Sequence, residues 1–262
     1  MSDTSASTGS APSRRLTGTQ DAHFGARAAS WTDRYRSSPS FRARLNVVGR
    51  AIDELLRDRR QARVLDFGGG TGVFSAVASR SASCTVCVDR SLPMLSEGMA
   101  DRPSMAAMLA SAGFDGSLGT VVRIAGDDRC VGSLQATFDL ILAIAVVEYV
   151  ADAMTLLTRL TQRLGQGGTL LITVPNRTSP VRIAQRVARP LLARKSASTG
   201  PLADQSFVGL RPHGDDVPWR RAAAAGLVVR HETAMPLGLS GVRRWFHPTL
   251  LISLCRAEDH CG

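Results

Sequence analysis

The strongest constraint on this chain is a rhythm: short runs that are apolar nearly throughout, each followed by a stretch of helical length. "ARVLDF" and "TGVFSAVASR" make the first pair, and "SCTVCVD" with "SLPMLSEGMADR" the second, where Ser91 is the expected N-cap. "TVVRIAGDD" reads as a third strand that ends on two acids. "TFDLILAIAVVEYV" begins as a fourth, followed by the helix "ADAMTLLTRLTQRLGQGG" with Asp152 near its start and Gly165 stopping it. "GTLLITVPN" is the fifth. Strands without polar alternation are covered on both faces, and strands alternating with helices pair in parallel. Ahead of them, Phe41, Leu45, Val48, Ile52 and Leu55 recur at three- and four-residue spacing, which predicts a helix over Ser40 to Arg59. After Asn176 the rhythm changes. "DDVPWRRAAAAGLVVRHE" reads as a last helix leading into a strand, and "FHPTLLISLCRAE" as a closing strand. No room remains between those two for a crossover helix, so they are expected to form an antiparallel pair at one edge.

With 262 residues, the chain suffices for one full core, or one core with a modest cap. No run approaches the roughly 18 apolar residues that span a bilayer. Residues 1–20, rich in Ser, Thr and Gly without an apolar run, are expected to be a disordered leader rather than a secretory signal. The formal charge is +10, and of 32 basic residues only Lys195 is lysine. Such a surface favours anionic partners in general. No nucleic-acid-binding motif accompanies it, so nucleic acid is not an expected partner. The five cysteines are scattered, and Cys84 and Cys87, three apart on one strand, face opposite sides, as two small buried hydrophobes would. The expected compartment is a reducing cytoplasm.

"VLDFGGGTG", Val64 to Gly72, concentrates glycine in the turn between the first strand and its helix. In an open α/β sheet the ligand sits beyond the carboxyl ends of the strands, so such a turn lets a ligand lie against bare backbone. Gly68, Gly70 and Gly72 space as G-x-G-x-G, and the position after Gly72 is Val73 rather than the dinucleotide pattern's continuation toward a further glycine. Asp89 ends the second strand about 20 residues on, where an acid accepts hydrogen bonds from ribose hydroxyls. Asp127, in "GDD" at the end of the third strand, stands level with an adenine beyond that ribose. Helix capping by Asp89 and turn chemistry at Asp127 explain the same residues without a ligand.

"VLDFGGGTG", "VDRSLPML", "GDD", "FDLILAIAVVEYV" and "GGTLLITVPN" in this order resemble the successive motifs of the class I S-adenosylmethionine-dependent methyltransferases, over roughly Gln61 to Asn176. The nearest flavour is the small-molecule branch that includes the ubiquinone-pathway O-methyltransferases. The resemblance implies an α/β, Rossmann-like, doubly wound and mostly parallel seven-stranded sheet with an antiparallel edge strand and helices on both faces. S-adenosyl-L-methionine is the implied cofactor. Asp66 and the backbone of Gly68, Gly69 and Gly70 would take its methionine end. Asp89 would take the ribose, with Arg90 beside it also in the cofactor site, Met94, Asp127 and Asp128 the adenine, and Ala143 and Ile144 would close the pocket. The segment "WTDRYRSS" would fold over the donor, with Trp31, Arg34 and Tyr35 as its lid candidates; packing of the first helix explains Trp31 and Tyr35 equally. The ubiquinone-pathway "E-x-x-E-H" is replaced here by Ala145, Val146, Val147, Glu148 and Tyr149, so no metal site is expected.

The expected reaction is methyl transfer to an oxygen, less readily a nitrogen, of a small molecule that is anionic or aromatic. His213 and Tyr149 are the catalytic candidates, with His23 as a further possible base. Residues 21–60 would form lid and first helix, 61–176 the cofactor core, 177–215 an acceptor-side cap, and 216–262 the last helix and strand pair of a single domain. "PVRIAQRVARPLLARK" would place Ile183, Val187 and Leu191 on one stripe of a cationic cap helix, kinked at Pro190, allowing at most peripheral membrane contact. A monomer or homodimer is expected. Two alternatives stay open: a tRNA or protein methyltransferase, which the missing "N-P-P-Y"-like tetrapeptide after strand four disfavours, and a non-catalytic cofactor-binding regulatory subunit.

Overall fold

A computed structural model describes residues 24–150, 152–176, 179–180, 184, 226–235 and 249–261. Its seven strands are β1 (Arg63–Phe67), β2 (Cys84–Asp89), β3 (Val121–Ala125), β4 (Phe138–Ala143), β5 (Leu164–Pro175), β6 (Leu227–Met235) and β7 (Thr249–Arg256). They form one sheet in the order β3-β2-β1-β4-β5-β7-β6. β3 through β5 pair in parallel, while β7 runs antiparallel to both β5 and β6. The expected antiparallel pair thus closes one edge, with β7 one place in and β6 outermost. The winding reverses between β1 and β4, and in open α/β sheets the crevice that takes the ligand lies at the carboxyl ends of such a switch point.

Helices α1 (Ala28–Ser37), α2 (Pro39–Leu56), α3 (Val73–Ser79), α4 (Leu92–Ala100), α5 (Arg102–Ser111), α6 (Asp128–Ser133) and α7 (Ala153–Gln162) cover the sheet. Successive strand residues face opposite sides. Val64, Leu140, Leu142 and Leu171 therefore join Leu45, Val48 and Ile52 of α2, with Val77 of α3 and Met108 of α5, in one core. Leu65, Ile141, Leu170 and Ile172 join Leu156 and Leu160 of α7 in the other. This two-sided burial is why the strands read as apolar without alternation.

Local signals place most helix ends. The Ser91 hydroxyl accepts from the Met94 N–H to cap α4, and Asp152 accepts from Met154 and Thr155 to cap α7. Three helices, α1, α5 and α6, lie where the sequence reading placed none. α7 ends at Gln162, ahead of Gly165, because the chain has already entered β5 at Leu164 to pair with Phe138. The leader, His23, the stripe Ile183, Val187 and Leu191, nearly all of the cap 177–215, His213 and the last helix lie outside the described residues.

Candidate functional site

The turn from β1 into α3 has φ of +69° at Gly68, +58° at Gly70 and +79° at Gly72. An L side chain in this left-handed region is strained, which accounts for glycine at all three. Close approach adds a second reason. A Cβ on Gly68 would sit 2.2 Å from Val146 Cγ2, and one on Gly69 would sit 2.6 Å from Asp66 Oδ2 and 2.7 Å from Cys87 Sγ. The turn is thus a main-chain surface packed from below by side chains.

Asp89, at the end of β2, is oriented by two main-chain donors: Gly70 N–H donates to Oδ2 at 2.8 Å and Ser91 N–H to Oδ1 at 2.8 Å. Its carbonyl accepts from Gly126 N–H at 2.9 Å. One residue therefore joins the ends of β1, β2 and β3, and holds a carboxylate at the lip of the crevice. Exposed Arg90 follows, and buried Met94 reaches from α4 to Gly70, its Cε 2.9 Å from where a Cβ would stand.

Asp66 is almost completely buried and accepts a 2.6 Å hydrogen bond from the Ser75 hydroxyl. Burial raises its pKa to about 6; the Ser75 hydrogen bond opposes this, the nearby Asp89 charge reinforces it, and Arg123 opposes it weakly. The neighbouring Cys87 thiol is pushed up to about 12, again chiefly by burial. It is therefore an unreactive thiol.

Arg123 gave no sequence signal, yet it clamps the region. From β3 its guanidinium donates to Thr71 O at 3.3 Å and to Gly98 O at 3.0 Å, tying the glycine turn to α4. α1 approaches the same turn from above, with the Thr32 hydroxyl 3.4 Å from that of Thr71. Tyr35 is buried, edge-on to Phe41 and Phe74, and burial raises its pKa.

Asp127 caps α6 by accepting from Arg129 N–H at 3.0 Å, while the Asp128 carboxylate pairs with Arg159 of α7. Ala143 and Ile144 are buried at the end of β4. Ala145 then takes φ +57° without being glycine, and its N–H donates to the Thr173 hydroxyl at 2.7 Å. This turn carries Val146 onto Gly68 and places Tyr149 edge-on to Phe24, ring centroids 5.4 Å apart.

The crevice thus gathers Asp66, Gly68–Gly70, Asp89, Met94, Ala143 and Ile144 along the carboxyl ends of β1, β2 and β4, with Tyr149 on the β4 side. A basin of about 790 Å³ lined by Arg57, Arg59, Arg60 and Asp139 lies at the opposite, amino end of β1 and β4. It shares no residue with the crevice, and an α/β sheet builds its ligand site at the other end. No helix among the described residues is long and apolar enough to cross a membrane.

A family profile described as a methyltransferase domain matches residues 40–211. Among solved structures, magnesium protoporphyrin IX methyltransferase from Synechocystis PCC 6803 with bound SAH is similar at a TM-score of 0.61 and 13% identity, covering 92% of this chain and 99% of that one. N-methyltransferase NodS from Bradyrhizobium japonicum WM9, in complex with S-adenosyl-L-homocysteine, gives a TM-score of 0.55 at 14% identity, over 92% and 98% of the two chains. A TehB-like SAM-dependent methyltransferase from Corynebacterium glutamicum gives 0.53 at 17% identity, over 90% and 98%. At these identities the likeness establishes the fold. No curated protein sequence matches significantly.

Proposed function

The chain belongs to the methyltransferase-domain family, and from that premise we propose an S-adenosylmethionine-dependent methyltransferase acting on a small molecule, at oxygen rather than nitrogen. The observation that carries this reading is the Asp89 carboxylate, aligned by Gly70 and Ser91 N–H groups beside a turn whose three left-handed positions are glycine. Bare main chain admits a bulky ligand closely, and a fixed carboxylate beside it suits a sugar diol. The residues present therefore fit the donor.

When bound, S-adenosylmethionine supplies a methyl group already activated on a sulfonium. Asp66 and the Gly68–Gly70 backbone would hold the methionine end, Asp89 and Arg90 the ribose, and Met94 and Asp127 the adenine side. Ala143 and Ile144 close the floor. Asp128, engaged by Arg159, contributes by fixing α6 against α7. Orientation by these groups is worth roughly 7–11 kcal/mol of barrier in well-placed reactants. α1 excludes water from above. Tyr149 faces the acceptor and orients its hydroxyl. His213 is the proposed base for the hydroxyl proton, a role that contributes about 10²–10⁴-fold.

Oxygen is favoured because residues 145–148 read Ala-Val-Val-Glu, without side-chain amides or a proline pair to hold an amine. Residues 177–215 would cap the acceptor, and the protein would act in the cytoplasm as a single domain, monomeric or homodimeric. Calorimetry with S-adenosylhomocysteine tests the reading. Low-micromolar binding is expected, weakened at least about 100-fold in Asp89→Asn, since charge-assisted hydrogen bonds carry about 1.5–3 kcal/mol each. Equal affinity in the variant would remove Asp89 from the site.

A further inference from the structure

Arg123 stands where packing gives a cation little reason to be. It comes from β3, and its guanidinium lies half-buried between the glycine turn and α4. Its two hydrogen-bond partners are neutral carbonyls, Thr71 O at 3.3 Å and Gly98 O at 3.0 Å. Among the described residues it forms no ion pair. Room is kept for it all the same. A Cβ on Gly72 would sit 2.7 Å from Nη1, 3.0 Å from Nη2 and 3.2 Å from Cζ, so the flat guanidinium lies against the turn itself. Within α4, a Cβ on Gly98 would meet Thr71 O at 1.9 Å and Arg123 Nη1 at 3.0 Å. Glycine inside a helix is destabilising relative to alanine, yet here it lets turn, guanidinium and helix touch. Thr71, the residue gripped, is buried, and its hydroxyl lies 3.4 Å from that of Thr32 in α1.

Resting on the methyltransferase reading, we infer that Arg123 is a positioning residue for the donor. Its fork fixes the glycine turn against α4, and its charge balances the two carboxylates, Asp66 and Asp89, that would hold the donor. The fork matters because a planar guanidinium offers several N–H groups in a rigid arrangement, which suits two carbonyls on separate elements. The charge matters because two ionised carboxylates flanking one turn repel, and a cation behind the turn lets both stay ionised. Beyond burial and the Ser75 hydrogen bond, Asp66 feels Asp89, which raises its pKa, and Arg123, which lowers it. The Cys87 thiol of β2 and the Tyr35 hydroxyl of α1, with Arg44 beside it, also face Asp66. Of these groups Arg123 is the cation that favours the ionised acid.

The test is calorimetry of the full chain with S-adenosylhomocysteine from about pH 5 to 8. Arg123→Met removes both fork and charge, and at neutral pH it should bind at least about tenfold more weakly than the parent. The pH at which binding tightens should also move up, because Asp66 loses the cation that favours its ionised form. Arg123→Lys keeps a point charge without the fork. Its pH profile should follow the parent's, while its affinity falls at least about threefold. Arg60→Ser, which removes one exposed charge at the amino end of the sheet, should alter neither. Parent-like affinity in Arg123→Met, or weaker binding with an unmoved pH profile, would leave Arg123 a structural residue and overturn the inference. An Arg123→Lys profile displaced from the parent's would do the same. Should Arg123→Met fail to fold, Arg123→Lys decides alone, and parent-like affinity in it overturns the inference. Failure of S-adenosylhomocysteine to bind the parent would instead sink the donor reading, and this role with it.

Discussion

The two turns that flank the crevice solve one geometric problem by different means. After β1, the backbone enters the left-handed region at Gly68, Gly70 and Gly72, where glycine does so without steric cost. After β4, Ala145 enters the same region carrying a side chain, held there by the Thr173 hydroxyl from the neighbouring strand. The first turn has no room for a Cβ: one on Gly68 would strike Val146, and one on Gly72 the Arg123 guanidinium. The second has a neighbour able to hold a strained residue, and it uses side chains, Val146 against Gly68 and Tyr149 edge-on to Phe24. The β1 turn is thus written in backbone and the β4 turn in side chains.

The largest expected effect breaks the first turn. Gly68→Ala adds left-handed strain and drives a methyl into Val146. Together these should cost about 3 kcal/mol in urea unfolding and abolish S-adenosylhomocysteine binding. Adding Val146→Ala should recover the clash but not the strain, so about half of the loss should return. A double variant no better than Gly68→Ala alone would show that the two turns do not press on each other.

Asp66 sharpens the contrast electrostatically. Folded, it holds its proton up to about pH 6, whereas the unfolded acid releases it near pH 4. Between those values the folded chain binds more protons, so Asp66 makes stability fall as pH rises through the window, and its contribution is level above it. The difference is roughly 2–3 kcal/mol. Asp66→Asn should therefore flatten thermal midpoints measured from pH 4 to 7 relative to the parent. Donor binding by the parent should tighten over the same rise, because the ionised acid suits a cationic ammonium. Parallel pH curves for the two proteins would show that Asp66 does not titrate there.

The smallest effects lie in the second turn. Thr173→Val removes the acceptor for Ala145 N–H and should cost about 1–2 kcal/mol. Ala145→Gly should stabilise by up to about 1 kcal/mol, as the strain disappears. Neither should move S-adenosylhomocysteine affinity by more than about twofold, read in the same calorimetric titration.

What could be read in the sequence is what has a local cause. Strands β1 to β5, the caps at Ser91 and Asp152, the glycine turn and Asp89 each announce themselves within a few residues, because main-chain geometry and two-sided burial leave short-range marks. α5 was missed since "RPSMAAMLAS" has almost no polar contrast between faces and carries Pro103 in its first turn. α6 is a six-residue helix hidden behind an acid that also reads as a turn. Arg123 and Thr173 act across strands, so nothing near them in the chain betrays the partner. The same holds for Phe24, whose contacts at Trp31 and Tyr149 join the chain's start to the loop after β4.

Asp89 knots three strand ends through its own main chain and carboxylate at once. A change there would loosen three strand ends at once, so any substitution at this position carries a cost to the scaffold besides its effect on a ligand.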